Sequence, residues 1–132
     1  MESFKGLYAF KDPLGGPDAK SGITGSFAVR LGVYQNSYSR NSHVACFDIV
    51  YVGPPKAIEN LEKVIKQRYD WSIERDGRGH SEWISNITIA DIEKQVDELI
   101  KGYQFKIHKV PKDYLPLTVD NLDSFMEYVK TL

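Results

Sequence analysis

One cysteine, Cys46, in 132 residues excludes an internal disulfide and any multi-cysteine zinc site. The three histidines, His43, His80 and His108, are far apart in the chain and have no metal-ligand spacing. No stretch approaches the roughly 20 apolar residues of a membrane span. The opening MESFKGLYAF, with acidic Glu2 and no long apolar run, lacks the plan of a secretory signal, so an intracellular protein outside the membrane is expected. Repeats and low-complexity tracts are absent. Net charge is also nearly absent, at −1, which excludes the strongly basic footprint of a dedicated non-specific nucleic-acid binder. The balance is uneven: residues 1–80 carry 11 Lys and Arg against 9 Asp and Glu, whereas residues 81–132 carry 6 against 9. An anion-binding surface therefore belongs in the first 80 residues. The remaining composition, 42% hydrophobic and 27% charged, is that of an ordinary globular chain whose length suits one domain over 1–132.

Residues 4–10, FKGLYAF, are aromatic-rich and strand-like, and the turn formers of DPLGGPD follow. The connection is too short for a parallel crossover, so residues 20–24 return antiparallel as a hairpin. From Ser26, a natural N-cap, the period becomes helical. Phe27, Leu31, Tyr34 and Tyr38 fall within about 60° on a helical wheel, with Arg30 one turn before Tyr34. Residues 44–52, VACFDIVYV, read as a central strand with Cys46 as a small buried hydrophobe. Gly53-Pro54-Pro55 ends it, and a helix over 56–69 puts Ile58, Leu61, Ile65 and Tyr69 on one stripe with Glu62 beside it. Residues 70–80 read as an Arg-rich loop. A third helix over 89–101 opens with Thr88 and Asp91 at capping-box spacing. Residues 103–110 alternate as an edge strand, 111–116 form a linker, and a last helix over 119–130 is capped by Thr118 or Asp120. The fold class is α/β in the α+β sense: a small antiparallel or mixed sheet flanked by helices, with a ββαβα core over 4–84 and a helix-strand-helix extension over 85–132.

In that order of elements the sequence resembles the GIY-YIG nuclease superfamily. Gly6-Leu7-Tyr8 stands for the first half of the motif, and Lys20-Ser21-Gly22 follows after eleven residues. Arg30 comes eight residues past Gly22, Tyr34 four further on, and Leu61-Glu62 with Ile65 and Lys66 is similar to the glutamate helix. His80-Ser81-Glu82-Trp83 is similar to the closing signature of a phage and virus branch, where Lys also replaces the second motif tyrosine. Ser21 stands at a usually apolar position, and the asparagine that many members place after the glutamate helix has no clear counterpart.

The resemblance implies a DNA endonuclease that hydrolyses phosphodiester bonds with Mg²⁺ or another divalent cation. Glu62 would hold the ion with several waters retained, and Arg30 would clamp the phosphate through its planar fork. Tyr8, Tyr34 and Lys20 would surround the attacking water, with Lys20 expected to be a solvent-accessible phosphate clamp. Gly22, Lys66, Arg75 and Arg78 would face the substrate strand. Read as plain residues, Tyr8 and Tyr34 serve equally as core aromatics, Glu62 pairs with Arg30 or Arg68, Gly22 permits a bulge and Glu82-Trp83 anchors a loop. A non-catalytic DNA-binding relative and a protein-interaction module using the acidic C-terminal helices are the alternative functions. If Arg75 and Arg78 touch phosphates, replacing both by Ala weakens DNA binding and flattens the slope of log affinity against log salt by about 1.8. Fluorescence anisotropy between about 50 and 200 mM salt measures it, and an unchanged slope removes this segment from the interface.

Overall fold

The computed structural model describes residues 3–12, 16–38, 46–69, 73–75, 82–102 and 106–132, with 34–38, 73–75 and 82 described through their backbone. Strand β1 (Lys5–Lys11) lies in the sheet interior, between β2 (Ala19–Thr24) and β3 (Ile49–Gly53). Its alternation serves two cores, because successive side chains leave opposite faces of a strand. Tyr8 and Phe10 enter one core, and Leu7 and Ala9 the other. The full sheet has six strands in the order β4-β5-β2-β1-β3-β6, every pairing antiparallel. The remaining strands are β4 (Ile73–Arg75), β5 (Glu82–Ile84) and β6 (His108–Lys109).

Four helices sandwich this sheet. Helix α1 (Phe27–Tyr38) and α4 (Leu122–Lys130) pack on the Tyr8 face through Phe27, Leu31, Phe125 and Val129. Helix α2 (Pro55–Tyr69) and α3 (Ile89–Gly102) pack on the Leu7 face through Ile58, Leu61, Ile65, Ile92 and Val96. The result is an α+β fold, and no helix among the described residues is long and apolar enough to cross a membrane.

Helix starts follow local chemistry. Ser26 accepts a bond from the Val29 amide at 3.4 Å, satisfying an orphan donor of α1. Thr88 and Asp91 exchange side-chain and backbone bonds as a capping box for α3. The expected caps of the last helix are corrected. Thr118 accepts from the Asp120 amide instead, Asn121 ties the Tyr114 and Pro116 carbonyls, and α4 starts only at Leu122.

Three other expectations change. The Arg-rich segment read as a loop contains β4, because β5 offers it a free edge to pair with. The central strand starts at Ile49: Asp48 turns its carboxylate back onto the Lys11 amide at 3.0 Å, and Phe47 pairs across to Leu117 as an isolated bridge. Cys46 is consequently half-buried before the strand, its thiol pKa raised by burial and then by Asp48. The last strand shrinks to His108–Lys109, and residues 103–105 of that expectation lie outside the described residues.

A polar cluster ties α3 to the sheet edge. The wholly buried Tyr51 donates to Asp97 Oδ1 at 2.7 Å, and Lys109 Nζ reaches Asp97 at 2.7 Å and Glu93 at 3.1 Å. Burial, the bond to Asp97 and the two carboxylates all raise the Tyr51 pKa. For Lys109, burial pulls downward, but the bonds to Asp97 and Glu93 outweigh it and the pKa is raised. Both groups hold their protons more firmly folded than unfolded, so their contribution is complete below the ordinary Tyr and Lys values of about 10 and is lost as pH rises past them. Urea midpoints should fall between about pH 10 and 12. Tyr51→Phe, costing about 1 kcal/mol at neutral pH, should flatten that fall; an equally steep fall in the variant would show that this cluster does not govern it.

Candidate functional site

The hairpin register sets the site. Tyr8 stands opposite Gly22 and Phe10 opposite Lys20, so Tyr8, Lys20 and Gly22 share the face that α1 covers. A Cβ on Gly22 would lie 2.5 Å from Tyr8 Oη, and one on Gly6 would lie 2.0 Å from Phe27 Cζ. Both motif glycines are therefore spaces occupied by rings rather than bulges. The Tyr8 ring lies over Gly22 and stacks on Phe47, whose centroid is 4.1 Å away at an interplanar angle of 11°, and on Phe10 at 6.3 Å. On the side of β2 away from β1, β5 pairs with Ala19 and Lys20.

Lys20 is 4% exposed, its Nζ 5.6 Å from the centroid of Trp83, which is its register partner on β5. This corrects the expectation of a solvent-accessible clamp: a cation over an indole face is partly compensated for lost water, and Trp83 itself packs edge-on to Phe10. Tyr8 is 2% exposed. Arg30 is half-buried on α1, between the turns that bury Phe27 and Leu31. The α1 backbone continues through position 34, one turn later, while the Tyr34 side chain lies outside the described residues.

Glu62 belongs to the other layer. Along α2, Arg68 donates to Gln95 of α3 on one flank, whereas Glu59 meets Lys5 of β1 at 2.7 Å on another. At 100° per residue Glu62 lies about 60° from Glu59 and about 120° from Arg68, hence on the flank turned away from α3. That flank overlooks the β2 half of the sheet, since α3 is tied to β3 and β6 through Tyr51 and Lys109. The ion partner of Glu62 is Lys66 at 3.6 Å, with the carboxylate side chain 20% exposed. Neither of the partners considered from sequence, Arg30 or Arg68, takes that place, because Arg30 is across the sheet and Arg68 faces α3.

The structure thus brings Tyr8, Lys20, Gly22 and the helix of Arg30 to one face, and sets Glu62 and Lys66 on the helix that packs on the opposite face. Arg75 lies on β4 with its side chain outside the described residues, and Arg78 lies outside them entirely. Sequence reasoning missed Phe47 as the ring partner of Tyr8, and it read Trp83 as a loop anchor or signature residue rather than as the ring beneath Lys20. It also missed Ser21, whose Oγ is buried without a hydrogen-bond partner on the same side of β2 as Ala19 and Ile23, facing α2.

No group of three His, Cys, Asp or Glu side chains among the described residues is arranged to hold a metal. One carboxylate with water and substrate oxygens is nevertheless a donor set that Mg²⁺ accepts, so Glu62 fits that ion. No protein-family model, curated protein or solved structure matches the chain.

The ring-over-glycine contact is testable. Gly22→Ala should cost about 1–3 kcal/mol through overpacking, and Tyr8→Leu, which withdraws the ring, should make the same substitution cheaper. A double-mutant cycle from urea unfolding measures the coupling; strictly additive losses would mean that Tyr8 does not occupy the space above Gly22.

Proposed function

We propose that the chain is a divalent-metal-dependent DNA endonuclease of the GIY-YIG type, hydrolysing phosphodiester bonds at the β1–β2 hairpin. The observation that carries this reading is the hairpin register, which sets Tyr8 on Gly22 with Lys20 on the same face and the Arg30 helix over it. Arg30 would bind two non-bridging oxygens through its fork, which a point charge does not reproduce. The hydroxyls of Tyr8 and Tyr34 would orient the attacking water, and Lys20, held over Trp83, would contribute positive potential from below rather than direct contact. Glu62 would hold Mg²⁺ once Lys66 turns to solvent, and the ion, when bound, would supply charge stabilisation and a more acidic water.

A second reading has its own support: Tyr8 and Lys20 are almost wholly buried and Glu62 is already paired with Lys66. Those features suit a non-catalytic relative that binds DNA, with the motif residues serving the core.

Supercoiled plasmid separates the two. With Mg²⁺ the wild type should yield nicked or linear product, and chelation should stop it. Glu62→Gln keeps the shape, loses the charge and should lower the rate about 100-fold or more. Arg30→Lys should bind DNA at low salt while losing cleavage. Wild-type binding without cleavage would establish the second reading, and cleavage at full rate by Glu62→Gln would remove Glu62 as the metal ligand.

A further inference from the structure

The outward side of α2 has a composition that the site does not use. Lys56, Asn60, Lys63 and Gln67 are all exposed, and at 100° per residue they fall within about 60° of one another. Lys56 and Lys63 stand two turns apart, about 10.5 Å along the axis. Every side chain on this stripe donates hydrogen bonds, and none is a carboxylate. The two carboxylates of α2 lie off the stripe and are engaged, Glu59 by Lys5 at 2.7 Å and Glu62 by Lys66 at 3.6 Å. The Glu59 pKa is lowered by its bond to Lys5, then by that charge and by Lys63 and Lys56, so both stripe lysines act on the same region. The neighbouring α3 has the opposite character, with Asp91, Glu93, Asp97 and Glu98 against Lys94 and Lys101.

We infer that the outward stripe of α2 is a contact surface for the phosphate backbone of duplex DNA. The inference rests on the endonuclease reading, because the same helix carries Glu62. A polyanion is the occupant that matches a stripe of ammonium and amide donors free of carboxylates; Lys, Asn and Gln are all common phosphate partners. The neighbouring α3 offers no matching stripe, since its Glu93 and Asp97 are engaged by Lys109 and its Asp91 and Glu98 offset Lys94 and Lys101. Such contacts position the duplex without reading its sequence, so the surface predicts affinity that depends on salt and little on base composition.

The experiment measures anisotropy of a fluorescein-labelled duplex of about 30 base pairs against the full chain across salt concentrations. Lys56→Gln with Lys63→Gln should weaken binding and reduce the slope of log affinity against log salt by about 1.8, at 0.9 per phosphate contact. Lys56→Arg with Lys63→Arg should keep the slope, and Lys94→Gln with Lys101→Gln on α3 should leave it unchanged. All four positions are exposed, and circular dichroism checks that each variant is folded. An unmoved slope in the Lys56/Lys63 glutamine variant overturns the surface, as does an equal loss in the α3 variant, which would reduce the effect to bulk charge. If the slope is unmoved while Glu62-dependent cleavage is intact, the surface fails and the endonuclease reading stands. If the slope falls as expected without any cleavage, the surface stands and the catalytic reading fails. Absence of salt-dependent binding by the wild type overturns both.

Discussion

The fold depends on β1 being buried on both faces. A strand in that position must alternate between two cores without a solvated side, and its seven residues do so with Leu7 and Ala9 beneath α2 and α3, and Tyr8 and Phe10 beneath α1 and α4. The Tyr8 ring has room only because its register partner is Gly22, and Phe27 reaches the sheet only because Gly6 offers no Cβ. One-residue slippage of the hairpin would exchange the two cores' side chains and place a ring over Ser21 or Ile23. Register, glycine placement and aromatic stacking are therefore one constraint, and α1 is docked by it.

Charge is arranged around this frame rather than within it. Lys20 enters the core, but over an indole face, so part of its lost hydration is recovered. Tyr51, Asp97, Glu93 and Lys109 close a network in which each buried polar atom has a partner, joining the C-terminal strand to α3. The surface pairs on α2 are weaker in kind, being half-exposed and screened by salt. The interior carries Tyr8 and Phe10, and the two outer layers carry Arg30 and Glu62 on opposite faces of the sheet.

Much of this was legible in the chain because it is local. The hairpin, the Ser26 cap of α1, the Thr88 and Asp91 capping box, and the apolar stripes of α2 and α3 follow from periods and spacings within a few residues. The environment of Lys20 was not legible, since a lysine on a short hairpin strand reads as solvated until Trp83 arrives from β5. The polar segment ahead of β5 likewise carries no strand signal of its own, and becomes β4 by pairing.

By itself, then, the sequence determined which residues are apolar, where α1 and α3 begin, and that α2 has an inward stripe with Glu62 at its margin. Those are consequences of dihedral preference, period and capping, which act over one or two turns. Tertiary structure alone decided that α1 and α2 lie on opposite faces of the sheet, that Lys20 is buried, that Glu62 meets Lys66 rather than Arg30, and that Gly6 and Gly22 give room to the Phe27 and Tyr8 rings. A helical wheel states the angle of a side chain about its own axis; which sheet face that axis lies on depends on how the whole chain shares its apolar area between two cores.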